Sequence, residues 1–217
     1  MESKKRILII DATMNEDGER ENSSILQIFR KSIREKGWDS DHLRVSEKEI
    51  KNCVGCGKCS FDSPGRCVIK DDMDEILARL VKSDCLVYLT PLCFGAPHWR
   101  LRKVVDRFLP LLIPKYTIRK KELHHEPRYP RIPMIAGVGI LPEIETGSRE
   151  THGGAEKPLA KSTAEERIFC SFLYRNRINT SAPGWAGIVM HEGAEEAEII
   201  DKVTAFLEKI EDGGSNG

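Results

Sequence analysis

The sequence predicts an α/β fold: a doubly wound parallel sheet of about five strands in the order 2-1-3-4-5, carrying a cysteine-rich loop. Three observations predict it. Short continuous apolar runs, Arg6–Ala12 and Cys85–Leu89 among them, read as strands buried on both faces. Segments with apolar residues at helical spacing separate these runs, so strands and helices alternate along the chain. Finally, 217 residues suit one such domain, residues 1–217, with some long loops.

Taken in order, Arg6–Ala12 is the first and central strand. A loop rich in acidic residues follows, and Ile25, Leu26, Phe29 and Ile33 then mark a helix up to Gly37, with Asn22 or Ser23 as N-cap. Asp41–Val45 is the second strand. Asp72 and Glu75 read as a capping box for a helix bearing Met73, Ile76, Leu77, Leu80 and Val81 inward. Cys85–Leu89 runs into Thr90–Pro97, and Pro97 suits the first turn of a helix carrying Trp99, Leu101, Val104, Val105, Phe108 and Leu109 as far as Pro110. Residues 115–130, with His124 and His125, read as a solvated polar connection without a metal role. Ile132–Ile140 is the next strand, and Leu141–Ser162 is long enough to be a lid or a disordered loop. A helix with Ile168, Phe169, Phe172 and Leu173 inward, the strand Trp185–Met190 and a helix over Ile199–Ile210 complete the domain, and residues 212–217 should be a disordered tail. Cys85 and Cys170 read as buried small apolar residues.

The densest chemistry lies in residues 53–67. Cys53, Cys56, Cys59 and Cys67 are spaced C-x2-C-x2-C-x7-C, so one short loop can point four sulfurs at one centre. Overlapping x2 spacings with an outlying cysteine suit a 4Fe-4S cluster. Gly55 and Gly57 let the backbone fold tightly between the ligands, and Pro64-Gly65 turns Cys67 back toward them. Lys51, Lys58, Arg66 and Lys70 would offset the negative charge of a thiolate-bound cluster. Structural zinc fits less well, because the middle cysteine belongs to both pairs. Unmetallated thiols are the other alternative. Disulfides need an oxidising compartment, whereas Met1–Arg6 lead straight into a strand without a signal-peptide core, and seven cysteines cannot all pair.

Lysines plus arginines equal aspartates plus glutamates, 34 of each, so no basic excess points to nucleic acid or an anionic membrane surface. The apolar runs fall short of a membrane span, and the expectation is a soluble, cytoplasmic protein.

Sheets of this type bind ligands at the carboxyl ends of their strands, which brings together residues 12–24, 90–97 and 139–146. In the first segment, Thr13, Asn22, Ser23 and Ser24 read as hydroxyl and amide donors of a phosphate cradle at a helix N-terminus, with simple capping as the alternative. In the last, Gly139 and Ile140 are candidate cofactor contacts.

Cys53-Val54-Gly55-Cys56-Gly57-Lys58-Cys59, Cys67–Met73, Thr90-Pro91-Leu92-Cys93-Phe94-Gly95 and Asp106-Arg107 together resemble the iron–sulfur flavoproteins of the NAD(P)H-dependent FMN reductase superfamily. The match is strongest over residues 50–110 and elsewhere follows element order alone. The resemblance implies a flavodoxin-like fold, FMN and a 4Fe-4S cluster as cofactors, and a homodimer or homotetramer. It implies Cys53, Cys56, Cys59 and Cys67 as cluster ligands, Pro91, Leu92, Cys93, Phe94 and Gly95 as the loop against the isoalloxazine ring, and Asn22 to Ser24 at the FMN phosphate. The first loop departs from the family's usual Gly-Ser-Pro-Arg, reading Asp11-Ala12-Thr13-Met14. The implied function is an FMN-dependent oxidoreductase relaying electrons between flavin and cluster, with NAD(P)H or ferredoxin as donor and no side-chain acid or nucleophile as catalyst. Two alternatives stand beside it: an NAD(P)H-dependent FMN or quinone reductase without a cluster, and a non-catalytic cluster-binding redox module without flavin.

Overall fold

The first strand, β1 (Arg6–Asp11), lies in the interior of the sheet, one place from its edge, with both faces apolar. Leu8 and Ile10 enter one core; Ile7 and Ile9 enter the other. The structure, a computed structural model, describes residues 4–13, 23–119, 121–142 and 163–215. Around β1 the parallel sheet has the order β2 (Asp39–Arg44), β1, β3 (Cys85–Cys93), β7 (Met134–Leu141), β8 (Trp185–His191), which is the expected 2-1-3-4-5 arrangement. Helices α1 (Ser23–Glu35) and α5 (Glu196–Glu211) cover the Ile7 and Ile9 face through Phe29, Ile33, Val203 and Phe206. Helices α2 (Met73–Leu80), α3 (Trp99–Asp106) and α4 (Ala164–Thr180) cover the other through Ile76, Leu101, Val104, Phe169 and Leu173. Each such large apolar side chain contributes about 1.5–3 kcal/mol on leaving water.

Close approach of α4 to the sheet requires glycine. A Cβ at Gly137 would lie 2.7 Å from Phe169 and 2.8 Å from Leu173. Cys85 is fully buried in β3, and burial pushes its thiol up to about 12, in keeping with an apolar role; Cys170 is half-buried.

Several local readings need correction. Residues 115–130 are no solvated connection: β5 (Leu112–Arg119) and β6 (Glu122–Pro127) form an antiparallel hairpin. Its alternation is masked by Pro114 and by a register shift between Ile113 and Tyr116. Pro97 lies in β4 (Ala96–Pro97), which pairs antiparallel with the end of β3, and the N-cap of α3 is His98, whose Nδ1 accepts from the Arg100 amide. Phe108 falls beyond α3, and Leu109 begins a short 3-10 turn, Leu109–Leu111. Asp72 makes no capping bond to α2; its carboxylate instead accepts the Glu49 amide at 2.7 Å. Ile168 is half-exposed. The expected disordered tail begins with bonded residues: the Gly214 amide reaches Lys209 O at 2.7 Å, and Ser215 pairs with Trp185 at the start of β8. The long loop lies outside the described residues over 143–162.

Replacing Gly137 with alanine should lower unfolding stability by about 1–3 kcal/mol, because Phe169 and Leu173 must leave their rotamers. Urea titration followed by circular dichroism measures this, and an unchanged midpoint would show that the α4 contact is slack.

Candidate functional site

The carboxyl rim of the sheet is built by the ends of β1, β3 and β7. At β1, Asp11 is buried, and its carboxylate accepts the Thr13 amide at 2.9 Å, the Thr13 hydroxyl at 2.6 Å and His42 Nε2 at 2.8 Å. Burial alone would raise the Asp11 pKa; the His42 and Thr13 bonds outweigh it and hold the carboxyl below its usual range. Both Thr13 donors are thus directed at Asp11. Of the other candidate phosphate contacts, Ser24 is exposed at the start of α1, Ser23 opens that helix, and Asn22 lies outside the described residues.

The end of β3 turns tightly into β4 through Phe94 and Gly95, with φ of 51° and 78°. Two consecutive left-handed residues make the turn type that suits the twist of a short hairpin. A phenylalanine is strained there by roughly 1 kcal/mol or more, yet the residue is 88 % exposed at the tip. Gly95 has no room for a side chain: a Cβ would sit 2.7 Å from Ile168 and 2.8 Å from the Glu165 backbone on α4. Behind the turn, Leu92 packs on β7, where a Cβ at Gly139 would lie 2.5 Å from the Leu92 side chain. Pro91 to Gly95, Gly139 and Ile140 are therefore brought together, with Pro91 opposite Ile140 in register; Cys93 is exposed and Ile140 buried.

The cysteine loop leaves the sheet after β2 and returns at α2. Gly55, Gly57 and Gly65 take φ of 64°, 69° and 82°, so the glycines sit where the backbone needs the left-handed region. From Gly57 onward the loop is bonded to itself: Asp62 and Ser63 amides reach Lys58 O, and the Gly65 amide reaches Cys59 O at 2.9 Å. Cys59 is buried, Cys67 half-buried, and Cys53 and Cys56 exposed, all as free thiols. Burial pushes the Cys59 thiol up, and the nearby Cys67 and Cys53 sulfurs push it further. Cys56 lies between the left-handed Gly55 and Gly57. Among the described residues, no three Cys, His, Asp or Glu side chains are drawn close enough to hold a metal ion as they stand.

The donor set still fits an iron–sulfur cluster chemically. It offers four thiols and no competing carboxylate in the loop's ligand positions, and the glycine turns can bring backbone N–H groups to bear on an anion. A Cβ at Gly55 would meet nothing within 4 Å, so the tip has open space. Two of the flanking cations are already engaged: Lys51 with Glu49 at 3.1 Å and Lys70 with Asp74 at 3.7 Å. The FMN contacts fit in part, since the Pro91–Gly95 turn and Gly139 form one fixed ledge.

Two features were not read from sequence. His124 is buried and lies 3.2 Å from Glu122. With Cys53, Asp106, Leu109, Leu123 and Asn176 it lines a cleft of about 560 Å³ between the cysteine loop, the hairpin and α4. Arg107 and Asp71 form a buried ion pair beneath the loop. Both residues fall inside segments already noted, Cys67–Met73 and Asp106-Arg107, but no local pattern pairs them.

Comparison with known proteins agrees with the cysteine motif. The chain is 34% identical over 90 residues to an iron–sulfur flavoprotein of Methanocaldococcus jannaschii, covering 42% of this chain and 45% of that protein. It is 31% identical over 88 residues to an iron–sulfur flavoprotein of Archaeoglobus fulgidus, covering 41% and 39%. The matches thus span less than half the length of these two relatives. No protein-family model matches. In fold the chain is similar to an NAD(P)H:quinone oxidoreductase from Methanothermobacter marburgensis, with TM-score 0.62, 10% identity and 96% and 98% of the two chains covered. It is also similar to an FMN-dependent NADH-azoreductase from Bacillus anthracis solved with FMN, with TM-score 0.56, 11% identity and 96% and 97% covered. The resemblance to iron–sulfur flavoproteins is borne out by these names, and the flavodoxin-like fold by these structures.

Because the folded Asp11 pKa is depressed, its contribution to stability is present above the unfolded value near ~3.9 and is lost as pH falls through the folded value. Asp11→Asn should therefore cost about 1–3 kcal/mol at neutral pH. That deficit should shrink as pH falls below about 4, where the unfolded chain takes up a proton before the folded carboxyl does, as urea titrations across pH would measure.

Proposed function

We propose that this chain is an iron–sulfur flavoprotein, an FMN-dependent oxidoreductase that relays electrons between FMN at the carboxyl rim of its sheet and a 4Fe-4S cluster on the cysteine loop. The observation that carries this reading is the C-x2-C-x2-C-x7-C loop, folded on left-handed glycines and anchored beside the sheet. The names of its relatives and the fold of its structural neighbours support it.

Cys53, Cys56, Cys59 and Cys67 would hold the cluster. Pro91, Leu92, Cys93, Phe94 and Gly95, with Gly139 and Ile140, would form the ledge against the isoalloxazine ring, and Thr13, Asn22, Ser23 and Ser24 would border the FMN phosphate. FMN supplies the exchange between two-electron and one-electron transfer, and the cluster carries single electrons. The protein's part is position and exclusion. Leu92 seated on Gly139 fixes the ledge, α4 at Gly95 keeps the turn from flexing, and the projecting Phe94 ring offers an apolar cover that keeps water from a planar ligand.

NAD(P)H or ferredoxin would supply electrons. Among the described residues no helix is long and apolar enough to cross a membrane. A homodimer or homotetramer is supported by the hairpin, where Tyr116, Ile118 and Leu123 stand 60%, 76% and 65% exposed. Ile118→Lys combined with Leu123→Lys should lower the solution mass measured by light scattering. A monomeric wild type would remove the assembly from the proposal.

Anaerobically purified protein should contain iron, acid-labile sulfide and FMN and show flavin bands over a broad visible shoulder. Cys56→Ser should abolish the iron and sulfide while leaving the far-ultraviolet circular dichroism unchanged. Flavin without iron would favour a cluster-free reductase, iron without flavin a non-catalytic redox module, and unchanged iron in the serine variant would contradict the ligand assignment.

A further inference from the structure

Arg107 ends α3, and its side chain is 2% exposed, with the Asp71 carboxylate beside it fully buried. The guanidinium donates to Asp71, to Lys51 O at 3.2 Å and to Ile69 O at 3.4 Å. Asp71 in turn accepts the Lys51 amide at 2.9 Å and the Met73 amide at 3.1 Å. These groups sit on the two ends of one excursion: Lys51 precedes Cys53, and Ile69 to Met73 follow Cys67. Outside them the Glu49 amide and Asp72 carboxylate close the same mouth at 2.7 Å. Cys67 lies near the guanidinium, and Arg107 Nε is buried without a partner.

We propose that Arg107 is the positioning residue of the cysteine loop: seated on Asp71, it ties the two ends of the loop together and keeps a buried cation close to Cys67. Nothing else buried at this mouth among the described residues is charged. The clamp follows from the geometry alone, while its redox consequence rests on the cluster reading above. A buried positive charge near a ligand sulfur stabilises the reduced, more negative cluster and so raises its potential.

The full chain, as isolated and after reconstitution with iron and sulfide, decides both parts. Arg107→Lys keeps the charge but cannot span Asp71 and two carbonyls. Alkylation of Cys67 in the as-isolated chain, followed by peptide mass spectrometry, should run at least tenfold faster than in wild type. After reconstitution, the one-electron reduction equilibrium should weaken about tenfold, a midpoint potential lower by ~59 mV. Equal alkylation rates and equal potentials in a folded variant would overturn the proposal. If Arg107→Lys does not fold, Arg107→Met with Asp71→Asn leaves no unpaired buried charge and is read the same way. Wild type gives an independent reading: the Lys51 and Met73 amides should exchange as slowly as core strands, and fast exchange would overturn the clamp. Should wild type take up no cluster, the cluster reading fails, while alkylation and exchange still decide the clamp.

Discussion

The buried Arg107–Asp71 pair is the constraint on which the site depends. A loop with three left-handed glycines and exposed Val54 and Phe61 has little apolar burial of its own to hold it. Its order must come from its ends. The pair is not a net source of stability, because desolvating both charges offsets much of their attraction, but removing one partner alone would cost about 3–5 kcal/mol. It therefore commits the loop to one geometry. The carboxylate spends its lone pairs on backbone amides and the guanidinium spends its donors on carbonyls, so Lys51, Ile69 and Met73 are fixed with respect to α3.

The sheet supplies the second half of the site. Its parallel strands end along one rim, where β3 overshoots into a strained turn and α4 closes over Gly95. The residues that fix the ledge are small or apolar, and a flat ligand would rest on shape more than on charge. Asp11 marks a contrasting end of the rim, where carboxylate, imidazole and hydroxyl satisfy one another in the core. Both cores and the rim thus trace back to the doubly apolar β1.

Much of this was legible in the sequence. The five parallel strands, the helical faces and the cysteine loop all announce themselves through local pattern, because burial on a strand or helix repeats with a short period. What escaped depends on distance or on interruption. Arg107 and Asp71 stand 36 positions apart, and no local rule pairs them. His42 meets Asp11 only because β2 lies beside β1 in parallel register. The hairpin was hidden by Pro114 and a register shift, which broke the alternation that would have shown Tyr116 and Ile118 as strand residues. Asp72 and Glu75 have the spacing of a capping box, yet Asp72 is claimed by Glu49 and Glu75 by Lys48 at 2.8 Å, so tertiary partners won over a local motif.

The central claim is that four sulfurs on a clamped loop serve one iron–sulfur centre. Mössbauer spectroscopy of the full chain reconstituted with iron-57 tests it most directly. Wild type should show the signature of a single 4Fe-4S cluster. Isolated ferrous or ferric sites, or no bound iron at all, would contradict it.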